Sequence, residues 1–418
     1  MGIKYNIPRG TFDVLPKDSF KWEYVENVYR NVAKNFGYKE IRTPIFEYTE
    51  LFERSSGETS DVVQKEMYRF SDRKDRVLAL RPEGTAPVIR SYIENNLGSD
   101  GHIVKLFYIG EMFRYNRPQT GRSRQFSQFG AECIGSNNPY YDAEIIALFY
   151  TFLQTLNLKN FIVEINSIGC TDCSSIYNKS LNEYYKESFN KLCPDCQIRF
   201  AKNPKRLLDC KVEKCKDMSE KAPSILDSLD EKCDLHFKFV QKYLKLLKIP
   251  FVINERIVRG LDYYTQTAFE FIPNDNNKSQ NALGGGGRYN GLINLMGGKE
   301  TPAVGFAGGI TRLLLYLEKE NLHQQDTSHP KYYVISLGEE TTSVALYIVY
   351  YLREKGIYAE FDIEKKSMKS QMKNADRLKS EYVIILGENE VKHNVLTIKN
   401  MVSGDQKNIS IDALDQLV

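Results

Sequence analysis

The sequence predicts an α+β protein: a mostly antiparallel sheet core flanked by helices, followed by a smaller C-terminal α/β module. Three observations lead there. The first part of the chain is a run of paired strand patterns with few of the crossover helices that parallel neighbours need. A polar stretch, LHQQDTSHPK at Leu322 to Lys331, then breaks the apolar pattern and carries Pro330, as a linker does. Beyond it, strand and helix patterns alternate, which points to a partly parallel sheet. The expected domains are residues 1–325, with an insertion at about 169–245, and residues 331–418.

Taken in order, Ser19 to Phe36 places Val25, Val28, Val32 and Phe36 at helical spacing, and Gly37 supplies a stop. IRTPIFEYTELF has the β-branched and aromatic content of a strand, interrupted at Pro44. MYRFSDRKDRVLALRPEG reads as a hairpin around a charged turn, and TAPVIRSYIENN as a helix from Thr85. KLFYIGEMFRY and QFSQFGAECIG are strands joined by the loop NRPQTGRSR. A helix from Tyr141 to Leu156 leads to strand FIVEINS. From Gly169 to Lys245, helical patterns and basic turns interrupt the strand series as an insertion. Strands resume at FVINERIV, DYYTQTAFEFI and NALGGGGRY, and a helix beginning near Gly305, opened by Gly308 and Gly309, carries Arg312 and LLLYLE. In the C-terminal module, strands YYVISL, AEFDI and YVIILG alternate with helices through ALYIVYYLREKG and KSMKSQMKNADRLKS.

Hydrophobic residues make up 42% and charged residues 27%, which is ordinary globular usage. No run of about 18 apolar residues occurs, which excludes a helical membrane span. The start, MGIKYNIPRGTFDVLP, lacks the basic and apolar parts of a secretion signal, so a cytoplasmic enzyme is expected. A net charge of +3 is too mild to announce a nucleic-acid partner, which local patches must reveal instead.

Eight cysteines in a cytosolic chain do not form a disulfide framework. Cys170 with Cys173 and Cys193 with Cys196 form two CxxC pairs separated by 19 residues, the spacing of a zinc ribbon, and Cys210 and Cys215 follow nearby. Structural zinc and reduced thiols in a surface insertion both fit, and no metal ligand is assigned. Four thiolates would leave zinc no open position for catalysis.

Three segments carry chemistry. Arg114, Arg117, Arg122 and Arg124 fall within eleven residues on a strand end and its loop. Such guanidiniums repel one another unless an anion arrives, and Arg grips phosphate bidentately. Arg259 and Asp262 stand at a strand start with Tyr263 and Tyr264, whose side chains face opposite sides if the strand is regular. Gly308, Gly309 and the GGGG at 284–287 allow close backbone approach, but fit neither GxGxxG nor GxxxxGK[ST].

Together these segments resemble the three motifs of class II aminoacyl-tRNA synthetases, specifically the bacterial-type histidyl-tRNA synthetases. TPIFEYTELFERSSGE is similar to motif 1, FRYNRPQTGRSRQF to motif 2 and AVGFAGGITRLLL to motif 3, while LRPEGT and RGLDYYT resemble the two histidine-specific signatures. The resemblance runs from Arg9 to the end. It implies a class II synthetase-like core with an anticodon-binding C-terminal domain, activation of L-histidine by ATP with Mg²⁺, transfer to tRNA(His), and a homodimer.

The resemblance also implies site roles. Glu83 and Thr85 hold the histidine ammonium, Glu132 and Tyr264 grip the imidazole nitrogens, and Gln128 and Tyr263 complete that pocket. Arg259 and Arg114 are the catalytic pair, contacting the α-phosphate and the histidine carboxylate. Arg122 or Arg124 meets the distal phosphates, and Phe126 and Arg312 sandwich the adenine. The chain departs from the family at Asn290, often Asp, and at Ser127, often larger and polar. In the C-terminal module Lys369, Lys373 and Arg377, beside Lys365, Lys366 and Lys379, form a basic helical stripe fit to face phosphates. Two other readings compete: a non-catalytic regulatory subunit of ATP phosphoribosyltransferase, and a class II enzyme for threonine or proline. Arg259, Arg114 and the C-terminal module argue against the first, and RGLDYY with Glu132 against the second.

Overall fold

The computed structural model describes residues 5–418 apart from 58–59, 61, 211, 261–262, 275–281, 323–325, 327–328 and 365–366. Asp262, Lys365 and Lys366 therefore lie outside the described residues. The chain divides into two compact units, Met1–Gln324 and Gln325–Val418.

The first unit contains strands β1 (Lys39–Glu40), β2 (Phe46–Tyr48), β3 (Arg69–Ser71), β4 (Val77–Leu80), β5 (Val104–Phe113), β6 (Gln125–Ile134), β7 (Phe161–Ser167), β8 (Val252–Ile253), β9 (Thr265–Pro273), β10 (Gly284–Arg288) and β11 (Ala303–Gly309). Eight of them form one sheet in the order β1-β5-β6-β11-β10-β9-β7-β8. Its interior ladders are antiparallel, and the two edge pairs, β1 with β5 and β7 with β8, are parallel. Strands β2, β4 and β3 form a separate antiparallel sheet.

Alternation along the strands divides the large sheet into an apolar and a functional face. On β6, Phe129, Ala131 and Cys133 enter the main core, and on β11 so do Val304 and Phe306. Helices Pro16–Asn35 and Pro139–Thr155 cover that face, where Tyr29, Phe129, Phe152 and Phe306 meet mostly edge to face. Gln128 and Glu132, on the alternate positions of β6, point to the other side with helix Thr85–Glu94. Arg288 and Asp142, both fully buried, form an ion pair, and His236 Nε2 lies 3.3 Å from the same carboxylate. Arg288 chiefly, with His236, holds the Asp142 carboxyl far below the usual range against its burial cost.

Three expectations are corrected. IRTPIFEYTELF is not one strand: only Phe46–Tyr48 pairs, and helix Thr49–Ser56 begins at once. Phe52 on that helix is buried against Ala79 and Ala86, and composition over so short a run cannot separate helix from strand. No helix starts near Gly305. Residues Ala303–Gly309 are β11, and the helix begins at Ile310, since side-chain-free glycines pass between β6 and β10 at close range. Finally, β9 starts at Thr265, so Tyr263 and Tyr264 precede it. Gln266 has a left-handed φ of 49°, and the β10 register shifts between Gly287 and Arg288. This bulge cancels strict alternation, and the two tyrosine rings sit 4.6 Å apart instead of facing opposite sides.

The insertion is helical, with Thr171–Lys186, Pro194–Lys202 and Glu213–Glu220 around a small core of its own, before helix Glu231–Leu246 returns to the main body. In the second unit β12 (Tyr332–Leu337), β13 (Ala359–Phe361), β14 (Tyr382–Gly387), β15 (Val395–Asn400) and β16 (Gln406–Ser410) form a sheet in the order β13-β12-β14-β15-β16. The first three are parallel and the last two join antiparallel. Helix Met368–Arg377 buries Gln371 and Ala375 and exposes Lys369, Lys373 and Arg377, with Lys379 exposed just beyond its end.

Candidate active site

The site lies on the functional face of the large sheet and has two halves. The first is a buried polar pocket. Glu83 stands just before helix Thr85–Glu94 and turns its carboxylate back onto the helix start, accepting from Thr85 N at 2.6 Å and Ala86 N at 2.9 Å. These amides have no partner inside a helix, so the sequence GluGlyThrAla caps itself. Burial raises the Glu83 carboxyl, and the two amides work against that rise. The Thr85 hydroxyl donates to Glu132 at 2.8 Å, and the Tyr289 hydroxyl donates to the other Glu132 oxygen. Burial pushes the Glu132 carboxyl up to about 8, despite both hydroxyls. A Cβ on Gly305, across the β6–β11 ladder, would fall inside the carboxylate, so glycine is required there for Glu132 to lie flat. Tyr263, Tyr264 and Tyr289 form an aromatic wall, with centroids 4.6 to 6.5 Å apart.

The second half is a cavity of about 300 Å³ lined by Glu66, Arg114, Arg122, Phe126, Gln128 and Arg312 among others. Strand β5 delivers Arg114, whose Nε donates to Pro82 O at 2.8 Å and whose guanidinium lies 5.4 Å from the Phe126 ring centre. Helix Ile310–Lys319 delivers Arg312 from its first turn, with Nη1 donating to Ala282 O at 2.9 Å. Burial lowers the Arg312 pKa, and the positive charges of Arg122 and Arg114 lower it further. Three guanidiniums therefore converge and repel one another.

Gln128 joins the halves: it lines the cavity, while its side-chain oxygen accepts from Gly84 N at 3.1 Å and from the Tyr108 hydroxyl at 3.5 Å. Arg259 pairs with Glu270 and lies 5.5 Å over the Tyr264 ring. A Cβ on Gly285 would come within 2.7 Å of its Nη1. Burial opposes the Arg259 charge most strongly, but Glu270 together with Tyr264 and Tyr263 leaves its pKa raised. Its Nε is buried without a hydrogen-bond partner among the described residues.

Of the expected residues, Glu83, Thr85, Gln128, Glu132, Tyr263 and Tyr264 thus gather around the pocket and Arg114, Arg122, Phe126 and Arg312 around the cavity. Arg117 and Arg124 are not in the lining. Arg117 is exposed, and Arg124 packs 3.9 Å over Tyr115 and donates to Asn116 O. Tyr289, Tyr108 and Gly305 are additions. The first follows GGGGR directly, and its aromatic identity after a glycine run was the available signal. The two CxxC pairs do not meet. Cys193, Cys196, Cys210 and Cys215 cluster together, and Cys170 and Cys173 cluster with Asp230 and Cys233.

Comparison with known proteins places the chain in a family. The Histidyl-tRNA synthetase family matches residues 10–174 and 205–313, and the Anticodon binding domain family matches residues 331–418. The chain is 47% identical over 407 residues to a histidine–tRNA ligase of Desulforamulus reducens, covering 97% of each. Its fold is similar to the crystal structure of apo S. aureus histidyl-tRNA synthetase, with a TM-score of 0.84, 40% identity and 99% of each chain covered. An ATP phosphoribosyltransferase regulatory subunit/histidyl-tRNA synthetase from Bacillus halodurans aligns with a TM-score of 0.66 at 18% identity, over 90% of this chain and 97% of that one, and shares the fold alone. By motif, fold and identity over nearly its whole length, the chain belongs to the histidyl-tRNA synthetase family.

Proposed function

We propose that the chain is a histidine–tRNA ligase that activates L-histidine with ATP and transfers the histidyl group to tRNA(His). One observation carries this: converging guanidiniums adjoin, through Gln128, a buried polar pocket holding the Glu83 and Glu132 carboxyls. In the first step a histidine carboxylate oxygen bonds to the ATP α-phosphorus, the bond to the β-phosphate oxygen breaks, and diphosphate leaves with the electron pair. The carboxylate is already ionised, so no general base is required. Arg259 and Arg114 hold the carboxylate and α-phosphate and stabilise the charge that develops between them. Arg122 meets the distal phosphates, and Phe126 and Arg312 take the two faces of the adenine. Mg²⁺ arrives with ATP, and Glu66 is the acidic residue of the described lining. In the second step a ribose hydroxyl of the tRNA terminus attacks the histidyl carbonyl and AMP leaves.

Glu83 and Thr85 receive the ammonium. Glu132 accepts from one imidazole nitrogen while the Tyr264 hydroxyl donates to the other, a pairing that suits a neutral imidazole with its one donor and one acceptor. Gln128 and Tyr263 close the pocket. The unit at Gln325–Val418 reads the anticodon, aided by the basic stripe of Lys369, Lys373 and Arg377. The enzyme works in the cytoplasm.

ATP–diphosphate exchange tests the reading. It should depend on histidine among the twenty amino acids, and Arg259→Ala should lower it by roughly 10²-fold or more. Exchange without histidine, or an unaffected variant, overturns it.

The working form is a homodimer. Ile45, Phe46, Tyr48, Phe70 and Val77 leave an exposed apolar surface on β2, β4, β3 and the segment before them, and an apolar patch of that kind fits a second copy. Light scattering should give twice the chain mass, and a monomer at micromolar concentration overturns this part.

A further inference from the structure

Residues 171–228 form a small helical unit whose own core includes Tyr177, Leu181 and Leu207 and also three cysteines, Cys196, Cys210 and Cys215. A unit of this size buries little apolar surface and is commonly stapled by a metal or a disulfide. Every described cysteine is free, and only Cys133, in the main core, stands outside the two clusters.

The two clusters have the dimensions of tetrahedral sites. In each, all four ligand atoms lie within 4.8 Å of one another. Sulfurs bound to zinc at about 2.3 Å in a tetrahedron stand about 3.8 Å apart. Cys193 Sγ and Cys210 Sγ are 3.8 Å apart, and Cys170 Sγ and Cys173 Sγ are 3.5 Å apart. Both distances are far beyond a disulfide bond of about 2.05 Å. Backbone amides already point at the sulfurs: Cys193 N donates to Cys215 Sγ at 3.3 Å and Asp230 N to Cys173 Sγ at 3.1 Å. Such amide donors are the usual outer partners of metal-bound thiolates.

The layouts differ. In the first cluster Cys193 precedes helix Pro194–Lys202 with Cys196 in its first turn, Cys210 follows a short turn, and Cys215 lies on helix Glu213–Glu220. In the second, Cys170 and Cys173 begin helix Thr171–Lys186, while Asp230 and Cys233 begin helix Glu231–Leu246. Both pairs are three residues apart, which puts them on one side of a helix start. Asp230 Oδ1 accepts from Cys233 N at 2.7 Å, and Oδ2 faces Cys170 Sγ at 3.3 Å. This second cluster sits where the insertion leaves the body and where it returns.

We propose that the chain binds two structural zinc ions, one on Cys193, Cys196, Cys210 and Cys215, and one on Cys170, Cys173, Asp230 and Cys233. The first fixes the core of the insertion. The second clasps its neck. Both are coordinatively closed, so neither takes part in histidine activation.

Elemental analysis of the full chain, purified in chelator-free buffer with zinc in the growth medium, tests this. Two zinc ions per chain are expected, falling to one in Cys196→Ser and to one in Cys233→Ser. Cobalt in place of zinc should give thiolate charge-transfer bands, which each variant reduces but does not abolish. Less than one zinc per chain, with all cysteines still reduced, overturns the proposal. One zinc lost only in Cys196→Ser overturns the neck site, and iron in place of zinc overturns the choice of metal. The wild-type stoichiometry decides the matter even if a variant fails to fold.

Discussion

The two halves of the cleft are built on opposite electrostatic plans. In the pocket each polar group already has an internal partner: Glu83 has two amides, Glu132 two hydroxyls and Gln128 an amide. In the cavity Arg114, Arg122 and Arg312 have each other's repulsion, which with burial depresses the Arg312 pKa. On the proposed function, the difference follows from what each half would recognise. Telling an imidazole from other side chains requires donors and acceptors fixed in advance, so their geometry is locked by neighbours. Capturing a triphosphate requires uncompensated positive charge, whose repulsion is relieved only by the anion.

Glu132→Gln gives the larger expected effect of the two variants that probe this contrast. It removes a buried charge-assisted acceptor and should lower kcat/KM for histidine by about 10²-fold. Wild type should show a rise in that parameter with pH through an ionisation near 8, which the variant loses. Stability should move the other way. Between the ordinary glutamate value of 4.5 and about 8 the folded chain keeps a proton that the unfolded chain has released. Wild-type stability therefore falls as pH rises through that window. Denaturant titrations at several pH values should show the variant gaining relative to wild type up to about pH 8. A flat difference would break the contrast, because Glu132 would then not be destabilised by its burial.

Arg122→Ala gives a smaller effect. Arg122 is exposed and lines the cavity. Its removal should raise KM for ATP about 10-fold, equivalent to about 1.4 kcal/mol. Histidine KM should stay constant, and folding stability should stay within about 0.5 kcal/mol. The ATP effect should shrink as salt is added, whereas that of Glu132→Gln should not, since screening acts on exposed charges. Equal salt dependence of the two variants would dissolve the distinction between the halves.

Much of the fold was legible. The β5–β6 pair was readable because two apolar strands flank a loop carrying Pro118 and Gly121, and all ten residue pairs of the ladder run in register. The hairpin at 69–80 was readable from its charged turn. Glycines hid β11, since a residue without a side chain shows neither period of two nor of 3.6. The bulge at Gln266 hid the shared orientation of Tyr263 and Tyr264, because alternation rules assume a regular strand. The site residues came from motif resemblance more than from pattern. Tyr289 offered only its aromatic identity after a glycine run, and Asp230 and Cys233 lie some 57 to 63 residues beyond Cys170 and Cys173, where no spacing rule reaches.

The self-capping of helix Thr85–Glu94 has one further consequence. Exposed helix beginnings attract phosphates, but this one is already occupied by its own acid. On the proposed function, an incoming nucleotide would be turned toward the arginines and an ammonium drawn to Glu83. Glu83 would then work as a polarity key, setting which end of the amino acid enters first and leaving the carboxylate end facing the phosphorus it must reach.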